Sequence, residues 1–225
     1  MIVIRKVARA ACVGICFSAL VACFDIEQTL VIHDDQSAAF NFVFTVDSAL
    51  LELGEGADID LESACDSEDT FPEELPGALT READVRIEEA QLICEYTISG
   101  PLADFDALSA DVQRDMGDMD LISLEILDRN RARIVSVYDF SDDDIEDSAK
   151  SSVGGSLRRM IASNFEGRAI RWTIKAPTIL ESNGEISPDG RSVHWVLPLE
   201  QAIGESGRYA FEAIIDYSAH QPRFF

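Results

Sequence analysis

The strongest pattern along the chain is a two-residue alternation of apolar and polar positions. In Phe40-Asn41-Phe42-Val43-Phe44-Thr45-Val46 the rings recur at every second residue, so they share one face of an extended strand and that face is buried. Ile26 and residues 29–32 carry a shorter run of the same kind. The two runs flank Asp34-Asp35-Gln36-Ser37, a turn sequence, and residues 25–46 therefore predict a first β-hairpin. Residues 85–89 and 91–99 also read as extended. In the second, Leu92, Cys94, Tyr96 and Ile98 fall on one face and Glu95, Thr97 and Ser99 on the other, with Ile93 the single apolar exception. Gly100-Pro101 stops it.

The period then changes. Leu102, Phe105, Leu108 and Val112 lie at helical spacing with Asp104 as a cap, which predicts a helix over 103–115. Residues 121–127 and 132–140 flank Asp128-Arg129-Asn130-Arg131 as a second hairpin. Ser141 followed by Asp142, Asp143 and Asp144 supplies an N-cap and an acidic first turn, predicting a helix to about residue 163, weakened at Gly154-Gly155. Strands follow at 170–174, 193–197 and 209–217, punctuated by Pro177, Ser182-Asn183-Gly184 and Pro188-Asp189-Gly190. Residues 48–53 predict a short helix ended by Gly54 and Gly56. Residues 54–81, acidic and broken by Pro72 and Pro76, predict an irregular excursion. The expected fold class is α+β: an antiparallel sheet built from hairpins, with two or three helices packed on one face.

The N-terminus follows a different rule. Arg5, Lys6 and Arg9 precede an apolar run from Ala10 to Ala22, shorter than the roughly 20 residues a bilayer-spanning helix needs, so it reads as an export signal. Leu20-Val21-Ala22-Cys23 resembles the lipobox of bacterial lipoproteins, in which the cysteine sulfur takes a diacylglyceryl group and cleavage leaves it as the first residue. Residues 1–22 are then a leader, and 23–225 a single domain anchored through lipidated Cys23. An ordinary secretory signal cleaved nearby is the alternative. Acyl chains contribute about 0.8 kcal/mol per buried methylene, so two or three hold a soluble domain firmly where one is marginal. Phe24, not Asp, follows the cysteine, and among such lipoproteins this favours the outer membrane or periplasmic face over retention at the inner membrane.

Charge narrows the partners. The chain has 42 acidic and 18 basic residues and a formal charge of −24. Loss of the leader's three basic residues makes it about −27, a surface that repels nucleic acid and anionic headgroups. Solubility is the simplest account of this acidity, and a cationic ligand is the alternative. Of the five cysteines, Cys12 and Cys16 leave with the leader and Cys23 is the lipid site. Cys65 and Cys94 remain as a pair in an oxidising compartment, expected to form a structural disulfide. A redox pair would normally sit closer in sequence, and a two-cysteine metal site lacks nearby histidines.

A broader resemblance covers most of residues 23–217. The stretch Ile98-Ser99-Gly100-Pro101-Leu102-Ala103-Asp104-Phe105 follows a central strand. Trp172-Thr173-Ile174-Lys175-Ala176-Pro177 precedes Glu181-Ser182-Asn183-Gly184 and then Val193-His194-Trp195. The succession of a strand ending in Pro, an Asn-Gly turn and a strand carrying Trp resembles the LppM-type lipoproteins of bacterial envelopes. Many of these carry a C-terminal transmembrane helix, and Arg223-Phe224-Phe225 shows none, so lipid alone would attach this chain. The resemblance implies an antiparallel α+β domain and an envelope role in binding lipid or glycolipid. It supplies no catalytic residues.

No enzymatic chemistry is expected from the residues themselves. His33, His194 and His220 share no metal-ligand spacing, and neither His-Glu-x-x-His nor Gly-x-Ser-x-Gly occurs. Gly154-Gly155-Ser156 and Gly204-Glu205-Ser206-Gly207 are too loose for phosphate loops. No metal site and no cofactor are expected. Asp142, Asp143, Asp144, Glu146 and Asp147 give no EF-hand register. Asp58, Asp60, Glu62, Asp66, Glu68 and Asp69 are a second, weaker calcium candidate. The stripe Phe40, Phe42 and Phe44 is core on the simplest reading. On a curved sheet it would line an apolar groove for an acyl chain, with Trp172 and Trp195 as the other lining rings. The expectation is a non-enzymatic module binding a lipid-like ligand at the membrane surface. The alternative is a scaffold or accessory subunit with an envelope-protein partner.

Overall fold

The computed structural model describes residues 24–47, 65, 75–89, 91–105, 107, 119–140, 162–163, 165–205 and 207–218. Eleven strands form two sheets among them. The larger contains, from edge to edge, β3 (Thr80–Glu88), β4 (Gln91–Pro101), β2 (Ser37–Asp47), β1 (Phe24–Ile32), β7 (Ala169–Lys175), β10 (Ser192–Pro198) and β9 (Glu185–Ile186). The smaller has the order β5 (Met119–Ile126), β6 (Arg131–Asp139), β11 (Arg208–Asp216) and β8 (Thr178–Ser182). One helix, α1 (Leu199–Glu205), follows β10, and residues 102–105 make a further helical turn.

The predicted hairpins form in register. Phe40, Phe42 and Phe44 stand opposite Leu30, Gln28 and Ile26 of β1, and opposite Ile98, Tyr96 and Cys94 of β4. The alternation of β4 is realised as buried Leu92, Cys94, Tyr96 and Ile98 between less buried neighbours. Strand β6 alternates likewise, burying Ala132, Ile134, Ser136 and Tyr138.

The architecture departs from the expected single antiparallel sheet. Strand β1 pairs with β2 by a local hairpin, but its other edge takes β7 in parallel, Ile26 beside Ile170 and Leu30 beside Ile174. Such a pairing joins distant segments and leaves no turn signal in the sequence. Among the described residues, the inner face of the large sheet is met chiefly by a second sheet, not by a layer of helices. A single buried cluster runs through both sheets, from Leu30, Phe40 and Trp172 to Ile134, Phe211 and Ile215. The helix expected over 103–115 begins as the turn at 102–105, with Leu102 and Phe105 buried as the spacing requires. Apart from residue 107, also helical, its remainder, the short helix at 48–53 and most of the helix at 141–163 lie outside the described residues. Asp104 does not cap that helix. Its carboxylate accepts from the backbone N of Ala78 at 2.9 Å and so closes the preceding loop. There Gly77, at φ +64°, lies so near that an added Cβ would come within 2.4 Å of the same carboxylate.

Candidate functional site

The inner face of the large sheet carries a row of rings with one amide among them. Tyr96 on β4 stands opposite Phe42 on β2, Phe42 opposite Gln28 on β1, Gln28 beside Trp172 on β7, and Trp172 opposite Trp195 on β10. Alternation puts all five side chains on one side. The small sheet answers with Tyr138 and Phe211. Trp195 stacks on Phe211 with ring centroids 5.8 Å apart, and Trp172 meets Trp195 edge-on at 5.5 Å. Tyr138 lies 5.5 Å from Phe211. These rings join the two sheets.

Gln28 is 1 % exposed. Its Oε1 accepts from Tyr138 Oη at 2.8 Å and also from Trp172 Nε1. Because an indole N–H only donates, the oxygen must face Trp172, and the amide orientation is thereby set. The Nε2 group has no hydrogen-bond partner among the described residues, an uncommon state for a buried donor and one that costs about 1–3 kcal/mol. Burial pushes the Tyr138 phenol well above its ordinary range, against the lowering effect of its hydrogen bonds with Ser136 and Gln28. It is therefore a neutral donor at any physiological pH.

The Asn-Gly turn explains how the row closes at β10. Trp195 Nε1 donates to Asn183 Oδ1 at 2.8 Å, and the same oxygen accepts from the backbone N of Glu212 at 2.9 Å. Asn183 Nδ2 donates in turn to the carbonyl of Ala210 at 2.8 Å. Gly184 lets the turn lie against the indole, for a Cβ there would approach Trp195 to 2.5 Å. One asparagine thus ties β10 of the large sheet to β11 of the small one.

Of the other expected residues, Phe40, Phe42, Trp172 and Trp195 are buried, while Phe44 is partly buried against the core. Cys65 and Cys94 are joined in a disulfide with Cα atoms 5.6 Å apart. Tyr96 Oη donates to the carbonyl of Cys65 at 2.6 Å, which fixes Cys65 over the inner face. Beyond Cys94 that face runs out to the edge strand β3. There Val85, opposite Cys94, is 40 % exposed, and Ile87, opposite Leu92, is 54 % exposed. With Phe44 and Val46 they form an apolar strip that emerges at the end where β1 begins. Cys23 and both acidic calcium candidates lie outside the described residues. Among those described, no three His, Cys, Asp or Glu side chains are grouped to hold a metal. His33 lines an open cleft of about 430 Å³ with Asp34, Lys175, Asp189 and Arg191. His194 does not line it; its Nδ1 is 3.0 Å from Thr173 Oγ1 and its Nε2 3.3 Å from Ser192 Oγ at the cleft's edge.

Two structural features of this region escaped the sequence. Gln28 was a polar position in an alternating strand, and nothing local marks it as inward-facing with two ring donors. Asp25, the second residue of β1, accepts from Arg168 Nη1 at 2.5 Å, Arg171 Nη1 at 2.9 Å and the backbone N of Ala169 at 3.3 Å. Burial raises the Asp25 carboxyl, but those three donors outweigh it and hold the group below the usual carboxylate range.

No family model matches the chain, and no curated protein matches it. Among solved structures, the chain is similar to the folded domain of LppM from Mycobacterium tuberculosis, determined by NMR. The two are 14% identical, with a TM-score of 0.50 over 88% of this chain and 92% of that one. Likeness at this identity speaks of architecture, because unrelated functions share folds. The chain has the fold of the LppM folded domain.

Proposed function

We propose that this protein is a non-enzymatic lipoprotein of a bacterial envelope, anchored through Cys23 and binding a lipid-like ligand. The carrying observation is the apolar strip of Val85, Ile87, Phe44 and Val46, which continues inward to the ring row around Gln28. An acyl chain needs apolar wall, and the strip supplies it at the surface. A ligand ester or carboxylate needs a donor, and Gln28 Nε2 is a buried donor without a partner among the described residues. The fold shared with LppM and the lipobox ending at Cys23 support the envelope reading. The absence of any described helix long and apolar enough to cross a membrane is compatible with attachment by lipid.

Two measurements test this. Intact mass of the native protein should show a chain beginning at Cys23 with a diacylglyceryl modification, and a free thiol there would overturn the anchor. Native mass spectrometry after incubation with bacterial lipid extract should show a one-to-one lipid adduct. Ile87→Glu, which places a charge on the strip, should weaken that adduct at least tenfold. No adduct from any extract would overturn the ligand reading.

A further inference from the structure

We infer that the end of the large sheet where β1 begins is seated directly on a bilayer of zwitterionic headgroups, with no flexible linker between lipid and domain. The inference rests on the acylation of Cys23 proposed above. Strand β1 starts at Phe24, so one peptide unit, about 3.8 Å between Cα atoms, separates the acylated residue from the first strand residue. A disordered tether of n residues would give a reach of about 5–6 Å × √n. Here there is no such segment to supply it.

The start of β1 is also clamped. Two guanidinium groups and a backbone N–H converge on Asp25, so the strand is fastened to β7 at its second residue and has little freedom to peel away. The lipid then dictates which part of the domain meets the bilayer. Register places Val46, Leu92 and Ile87 level with Phe24, and Pro198 follows on β10 opposite Ala169. The exposed Val85 and Ile87 thus lie at the lipid-bearing end. The turn at 33–36 and the β5–β6 turn lie at the opposite end, with Gln36 and Arg129 lining one cleft there. With nine residues in β1, that far end stands about 30 Å from the anchor.

Charge selects the headgroup. Asp47 and Glu88, both opposite Gln91, lie at the seated end with Glu89 and Glu200; Arg86 neutralises Glu88, and an anionic leaflet would repel the acidic charge that remains. Zwitterionic headgroups do not.

The acylated protein, purified from membranes and placed in vesicles of phosphatidylcholine and phosphatidylethanolamine, is the sample for the test. Cys23 is blocked by lipid and Cys65–Cys94 by their disulfide, so an introduced cysteine takes a single bimane label. Ile87→Cys and Arg129→Cys report the two ends, and the quencher is a lipid with a nitroxide on its headgroup. Quenching at position 87 should exceed that at position 129 at least fivefold. Ten Gly/Ser residues inserted after Cys23 should abolish most of that difference while the protein still floats with vesicles. Replacing half the lipid with phosphatidylglycerol at low salt should lower quenching at position 87. Equal quenching at both positions in protein of confirmed acylated mass would overturn the seating and leave the anchor standing. A mass without acyl chains would overturn both.

Discussion

Gln28 shows how much a single buried amide decides. Its oxygen serves two donors, Tyr138 Oη and Trp172 Nε1, on two different sheets in the first case. Gln28→Met keeps the volume and removes the acceptor, so Trp172 Nε1 loses its acceptor and Tyr138 keeps only its hydrogen bond with Ser136. The variant should lose about 1–3 kcal/mol in urea unfolding, and Tyr138→Phe should cost less in the Gln28→Met background than in the native protein, because the bond between the two side chains is already gone. An additive double variant would show that the two groups do not interact. Asp25 makes a pH-dependent contribution instead. Its native carboxyl titrates below the ordinary range, so the unfolded chain binds the proton more readily. The stabilisation is fully present above the unfolded value of about 4 and is lost as pH falls through the native one. Asp25→Asn should therefore cost about 1–3 kcal/mol at pH 7, and the gap to the native protein should shrink as pH drops below about 4. A gap that stays constant to pH 3 would show the carboxylate is not what Arg168 and Arg171 require.

At the scale of elements, what could be read depended on how local the signal was. The alternation in β2, β4 and β6 follows from side chains pointing to opposite faces, and it located those strands and their buried faces. Turn residues at 34–37 and 128–131 fixed two hairpins. The parallel pairing of β1 with β7 joins residues more than a hundred positions apart, and no short-range pattern encodes it. The strands β8 (Thr178–Ser182) and β9 (Glu185–Ile186) are too short for periodicity, and they flank the Asn183-Gly184 turn that did stand out. The helix α1 spans seven residues, too few for a helical repeat to show. Trp172 and Trp195 were legible as rings to watch, but the bond from Trp195 to Asn183 came only with the pairing of sheets. The disulfide is the element-scale constraint that cysteine counting did reach. Its cysteines are separated by 29 residues, for which loop-closure entropy gives about 3–4 kcal/mol. Cys65→Ser with Cys94→Ser should lower stability by roughly that amount, with a smaller loss if the bond from Tyr96 Oη to the residue 65 carbonyl holds without the bridge. Urea midpoints of native, reduced and double-serine protein separate these outcomes.

The whole molecule carries a formal charge of −24, and several cations among the described residues are engaged at contact distance. Arg86 faces Asp84, Glu88 and Glu95, Arg133 faces Glu125 and Glu212, and Arg168 and Arg171 share Asp25. These pairs act over a few ångströms, whereas the surplus carboxylates repel one another across the domain. For a chain of this size the radius of gyration is about 17 Å. The screening length is about 30 Å at 0.01 M salt and about 8 Å at 0.15 M. At low salt every surplus charge feels the rest, and at 0.15 M only near neighbours remain coupled. Salt therefore removes repulsion at long range before it weakens ion pairs at contact distance, and the net effect is stabilising. Thermal unfolding should move upward between 10 and 150 mM sodium chloride, by about 2–4 °C for each kcal/mol of repulsion relieved. Sodium sulfate at matched ionic strength separates screening from surface-exclusion effects, which strengthen apolar burial on their own. If the midpoint instead fell with sodium chloride, the contact pairs would outweigh the surplus charge. The acidity would then be part of how the fold is held, through partners such as Glu95 and Asp25, and not a burden the core overcomes.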